Sequence, residues 1–289
     1  MYYFISVLIG MMTSAMIAAN GQMGVVWGEY PASVLIHMIG LVFTILVLVI
    51  KKGWLRLKKG ISFWLYLGGA IGVGTVVFNN FAYGRISVLA ITALSLLGQC
   101  LSSVVIDQFG LLGMPRRPFQ SSKISGLVII FCAIGILLYS GDISSWSAVL
   151  VSLLSGITVT VSRVINAGLG EKYTVLQGTF FNFLTGLIVS IALLLILSVN
   201  WEPHVPGSIS DSWIYFGGIL GVFVITLSNQ AVVKISAFYM TLLTFLGQLS
   251  MSILIDIFLG EYFSLVSVAG GALVFFGLVQ NLYVENRAF

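Results

Sequence analysis

The side chains that could do chemistry in this sequence are few and nearly all neutral. Inside otherwise apolar runs stand Asn20, Gln22, His37, Asn79, Asn80, Gln99, Asn166, Gln177, Asn182, Asn229, Gln230 and Gln248, all amides but one. An amide donates and accepts, so it can hold a polar solute or bond one helix to its neighbour. His37 is a side chain of the type that ordinarily titrates near neutrality, and it lies about two turns into its run; it reads either as a satisfied packing histidine or as a contact for a proton or a solute. Asp107 and Asp256 end their runs, where capping or solvation by interfacial water competes with a role in ion coupling. No Asp or Glu falls in the middle of a run, so exchange of a proton for a cationic solute at a buried carboxylate is not expected. Arg163, about one turn from the end of its run, reads as a side chain that snorkels to the membrane surface.

Other chemistries lack their residues. There is no HExxH, no GxSxG and no GxxxxGK[ST], so neither hydrolysis on a metal or serine nor nucleotide hydrolysis is expected. Cys100 and Cys132 fall in apolar runs with no Cys or His at ligand spacing; no metal and no cofactor are expected. An intramembrane enzyme is therefore the weakest of the functional readings.

The elements that must position these residues follow from composition. The 289 residues are 59% hydrophobic and 8% charged, with a mean hydropathy of +1.10. So little charge cannot cover a water-facing surface of this size; the solvent is lipid. A span needs roughly 20 apolar residues, and such runs occur near 3–22, 31–50, 61–82, 86–106, 124–140, 146–166, 174–198, 212–233, 235–256 and 262–284. The first run has no basic residue ahead of it, so it reads as a permanent helix and not a secretory signal. With the N-terminus inside, every Lys and Arg except Arg85 falls on the cytoplasmic side, and both termini are cytoplasmic. The net charge of +4 is thereby accounted for by topology, and no nucleic-acid partner is expected.

The spans repeat. Trp64 to Phe109 aligns without a gap on Trp213 to Phe258 at an offset of 149, pairing Gly68/Gly217, Gly69/Gly218, Gly72/Gly221, Asn80/Asn229, Gly98/Gly247, Gln99/Gln248, Ser103/Ser252 and Asp107/Asp256. Shared apolar residues would be trivial in membrane helices, but shared Gly, Asn, Gln and Asp are not. A fainter repeat at an offset of 146 pairs Gly10/Gly156, Asn20/Asn166, Gly24/Gly170 and Gly40/Gly186. The expected fold is an all-α polytopic membrane protein of ten transmembrane helices, built as two five-helix repeats over 1–143 and 144–289. Five is odd, so the second copy enters from the opposite side and the repeats are inverted, the arrangement many secondary transporters use with a substrate site between the halves. The residues expected to bind substrate are Asn20, His37, Asn80, Gln99, Asn166, Asn229 and Gln248, and those expected to couple a proton or Na+ are His37, Asp107 and Asp256.

The run GQCLSSVVIDQFGLLGMPRRPF from Gly98 to Phe119, with the double glycine Gly68-Gly69 and the helix of Asn20, resembles the YdcZ-like five-helix branch of the drug/metabolite transporter superfamily. The chain looks like a fusion of two such units. The second departs after Phe258, where LGEYF replaces GLLGMPRRPF. The resemblance implies transport of a small metabolite or drug across a bacterial cytoplasmic (inner) membrane, with export favoured, by a monomer or homodimer whose other partner is membrane lipid. A passive channel and a lipid translocator are the alternatives.

Overall fold

The computed structural model describes residues 1–53, 58–116, 145–199, 209–235 and 237–258, with isolated positions between 124 and 135 and at 273 and 276. The expected fifth and tenth spans, 124–140 and 262–284, lie outside the described residues but for those isolated positions. The helices are α1 (Tyr2–Trp27), α2 (Glu29–Ile50), α3 (Gly68–Ala82), α4 (Val88–Phe109), α5 (Trp146–Lys172), α6 (Val175–Ile196), α7 (Phe216–Ala231) and α8 (Ala237–Phe258). Short 3-10 turns, Phe63–Leu67 and Ile209–Tyr215, lead into α3 and α7. Seven of the described helices, counting those turns, are long and apolar enough to cross a membrane.

Local chemistry sets the helix ends. Gly28 alone separates α1 from α2 with φ of 89°, a conformation that an L side chain would strain. Ser87 caps α4 by accepting from the Ala90 amide, and Ser145 caps α5 in the same way through Ala148. Thr174 and Gln177 form a reciprocal capping box at the start of α6. Gln177 is thus a helix-capping residue and not a membrane-buried amide. Gln22 is only half-buried and Gln230 is exposed, so these two also leave the set of buried amides.

Helices from before and after residue 144 interleave. α1 packs on α8 and α7, α5 packs on α4 and α3, α2 faces α6, and α4 faces α8. Exchanging α1 with α5, α2 with α6, α3 with α7 and α4 with α8 turns this set of contacts into itself. Helix direction can be read at the bundle ends. Arg85, in the α3–α4 turn, meets Glu29 at 3.0 Å, so that turn and the C-terminal end of α1 share one end. Lys58 Nζ donates to the Lys172 carbonyl at 2.6 Å, so the α2–α3 connection and the C-terminal end of α5 share the other. α1 and α5 therefore run in opposite directions.

The closest crossings are made by glycines. A Cβ on Gly10 would overlap the Thr244 carbonyl and one on Gly247 the Val7 carbonyl, where α1 crosses α8; at the α4–α5 crossing, Gly98 meets the Leu153 carbonyl and Gly156 the Ser95 carbonyl. Hydrogen bonds fasten the α1–α8 crossing, with Ser14 Oγ donating to the Gln248 carbonyl at 2.9 Å and the Ser14 and Ser252 hydroxyls 2.6 Å apart, while the Ser103 and Thr241 hydroxyls, 3.2 Å apart, join α4 to α8. In lipid such backbone approach and hydroxyl bonding take over the role that hydrophobic burial has in water.

Candidate functional site

The interleaving leaves a cavity of about 130 Å³ on which α1, α2, α3, α5, α6 and α7 converge. Its lining is ordered by the sequence offsets. Thr13, Met16, Asn20, Ile36 and His37 line it, and so do Val159, Ser162, Asn166, Asn182 and Phe183, each 146 positions later. Gly72, Thr75 and Val76 line it together with Gly221, Val224 and Ile225, each 149 positions later. Every lining residue from the first half thus has its counterpart in the wall. The second half adds Arg163, Ser228 and Asn229. A larger recess of about 370 Å³ between α1, α7 and α8 is walled by alanines and large apolar side chains, with nothing but the Trp213 indole to recognise a polar solute.

Of the residues expected at the site, Asn20, His37, Asn166 and Asn229 come together in the cavity wall, whereas Asn80, Gln99 and Gln248 are buried outside it. The reason for Gln99 and Gln248 lies in their preceding glycines: what approaches there is backbone and not a ligand. Gly156 packs against the main chain of Ser95 and Gln99, and Gly10 against that of Thr244 and Gln248. Asp107, buried in the last turn of α4, is not part of the cavity wall. Asp256 stands near the end of α8, and its side chain lies outside the described residues.

The four amides and the histidine do different things. Asn20 Oδ1 lies against Gly217, and Asn166 Oδ1 against Gly68, two equivalent contacts in which an amide oxygen rests on the glycine backbone of a crossing helix. Asn166 Nδ2 donates to Asn182 Oδ1 at 2.7 Å and to Ser162 Oγ at 3.2 Å. His37 Nδ1 donates to the Ser33 carbonyl at 2.8 Å, which leaves Nε2 without the proton in the neutral ring, and the ring sits edge-on to Phe183, its own counterpart, at 6.0 Å. Asn229 is 4% exposed, and neither its oxygen nor its nitrogen has a hydrogen-bond partner among the described residues. A buried amide left so is costly unless something else meets it.

Arg163 is the residue that sequence reasoning misplaced. α5 continues to Lys172, nine residues beyond it, so Arg163 is about two and a half turns from the helix end and cannot reach the surface by snorkelling. It lines the cavity and donates from Nη2 to Gln99 Oε1 at 3.2 Å, while Gln99 Nε2 donates to Ser95 Oγ at 3.3 Å. The expected run ended at 166, six residues short of the observed helix end. The signal available was the arginine itself: a cation within an apolar run is a functional candidate by default. Ser162 and Asn182, also in the polar wall, sit one position along the chain from Arg163 and from His37's counterpart Phe183.

Residues 1–137 and 147–280 match the family described as "Putative inner membrane exporter, YdcZ", one stretch in each half. The chain belongs to that family. It carries the YdcZ-like unit twice, and it is accordingly an inner-membrane transport protein whose substrate is a small molecule. A solved structure described only as "Crystal structure of protein" superimposes with a TM-score of 0.68 over 99% of this chain and 97% of that chain, at 16% sequence identity. At that identity the likeness speaks for the fold. No curated protein matches the sequence.

Proposed function

We propose that this YdcZ-family chain is a secondary carrier, working in the direction of export, that moves a small metabolite by alternating access between two inverted five-helix halves, 1–143 and 144–289, ten helices in all. The observation that carries the reading is the paired cavity wall: each first-half lining position has its repeat counterpart in the same wall. A site lying on such an axis can face either compartment when the halves exchange conformations. The opposed directions of α1 and α5 support the inversion. The cavity size supports a metabolite in preference to a drug, since a hole of about 150 Å³ holds benzene, whereas drug-sized ligands occupy about 300–1,000 Å³.

Two measurements test this. With Cys100 and Cys132 replaced by alanine, Arg85→Cys is expected to react in intact cells with a membrane-impermeant thiol reagent, and Lys234→Cys only after permeabilisation. Reaction of both from one side would remove the inverted topology. In proteoliposomes, a ligand found by thermal-shift screening is expected to show saturable uptake and counterflow. Flux without counterflow would make the protein a channel.

A further inference from the structure

Arg163 carries a positive charge into the middle of a membrane bundle, and its only partner among the described residues is a neutral amide. A guanidinium has five N–H donors, and one of them is used, by Gln99 Oε1 at 3.2 Å. No acidic side chain lines the cavity, and the one ion pair among the described residues is Arg85–Glu29, at the bundle end. The other titratable lining group, His37, is also a base. Beside these stands Asn229, 4% exposed with both amide atoms unpartnered among the described residues, in contrast to Asn20 and Asn166, whose free oxygens are turned against glycine backbone. A buried cation without a counter-charge is unfavourable unless a ligand supplies one.

We infer that the cavity is the site of a small organic anion, whose carboxylate pairs with the free edge of the Arg163 guanidinium and takes a further hydrogen bond from Asn229. This rests on the transport reading above and names its substrate class. The planar fork of arginine matches a carboxylate in two-point geometry, and a wall without acids rejects amines. At about 130 Å³ the cavity holds roughly the bulk of benzene, which sets the solute at about six to eight non-hydrogen atoms. Met16, Ile36, Val159 and Phe183 would face its hydrocarbon part.

The test uses the purified full-length protein and a series of carboxylates of three to six carbons, each beside its primary amide and its amine, with chloride and phosphate as inorganic controls. Thermal shift and calorimetry are expected to show carboxylates binding and the amides and amines not. Arg163→Gln is expected to weaken carboxylate binding about 10- to 150-fold, the range for a hydrogen-bonded charged partner, with Arg163→Lys intermediate. If Arg163→Gln fails to fold, Gln99→Glu decides: it leaves the cation in place but gives it an internal counter-ion, and is expected to lower carboxylate affinity at least about tenfold. Amines or amides binding as well as carboxylates, inorganic anions alone binding, or Gln99→Glu binding carboxylates as the wild type does would each overturn the assignment. The two readings fail separately. Carboxylate binding without counterflow sinks the carrier and leaves the anion site, whereas counterflow of an amine that survives Arg163→Gln sinks the anion site and leaves the carrier.

Discussion

Leucine at Gly247 is expected to leave no recoverable folded protein. The new Cβ would overlap the Val7 carbonyl oxygen and crowd the Met11 amide nitrogen, both main-chain atoms of α1 that no rotamer change can move. The helices would have to part, and the Ser14 bonds to Gln248 and Ser252 would go with them. Overpacking in a core that can adjust costs about 1–3 kcal/mol, and a backbone obstruction at the longest helix contact should exceed that, enough to remove a typical margin of stability. Size-exclusion chromatography and scanning fluorimetry in detergent check it. Gly74→Ala is the control, because a Cβ there has Thr158 Cγ2 at 3.5 Å as its nearest neighbour, an ordinary contact. Alanine favours a helix interior by about 1 kcal/mol over glycine, so that variant should melt at the same temperature or higher. If Gly247→Leu behaved like Gly74→Ala, the close-crossing account of the bundle would be wrong.

The second large effect separates two residues that the repeat makes equivalent. Gln99→Leu is expected to reduce transport at least tenfold, with Gln248→Leu staying within about twofold of wild type. Gln99 orients Arg163 through a hydrogen bond to a charged group, an interaction of about 1.5–3 kcal/mol, and every 1.4 kcal/mol is tenfold. The position in the first half that corresponds to Arg163 is Ile17, so Gln248 has no cation to hold. Since Gln99 acts by positioning, its loss should raise KM for a carboxylate solute more than it lowers kcat, and Gln99→Asn should recover part of the affinity. Equal losses in the two leucine variants would mean that both glutamines serve packing alone.

The all-helical membrane fold was legible because the apolar spans are written along the chain, and seven of the described helices are long and apolar enough to cross a membrane. Each described helix overlaps its expected run, although α1 ends five residues and α5 six residues beyond theirs, and Asn20 and Asn166 could be paired before any helix was placed. The site was legible only in part, because burial and lining are different properties. Gln99 and Asn80 are as buried as Asn229, at 2%, 3% and 4% exposure, yet only Asn229 reaches the cavity; which face of a helix meets the cavity is settled by its crossings. Arg163 was missed through a span end set at 166, whereas α5 continues to Lys172. Gln177 was misjudged for the converse reason, its capping of α6 being a matter of local geometry that hydropathy does not record.

The interleaving of helices also bears on how the chain is made. Ser14 bonds to a carbonyl 234 residues further along, so at a synthesis rate of about 5–20 residues per second roughly 10–50 s pass before the first helix meets its main partner. During that interval the Gly10 face of α1 lies bare in the bilayer. Until α8 has been made, the glycine crossing at Gly10 and the hydrogen bonds of Ser14 to Gln248 and Ser252 have no partner to form with.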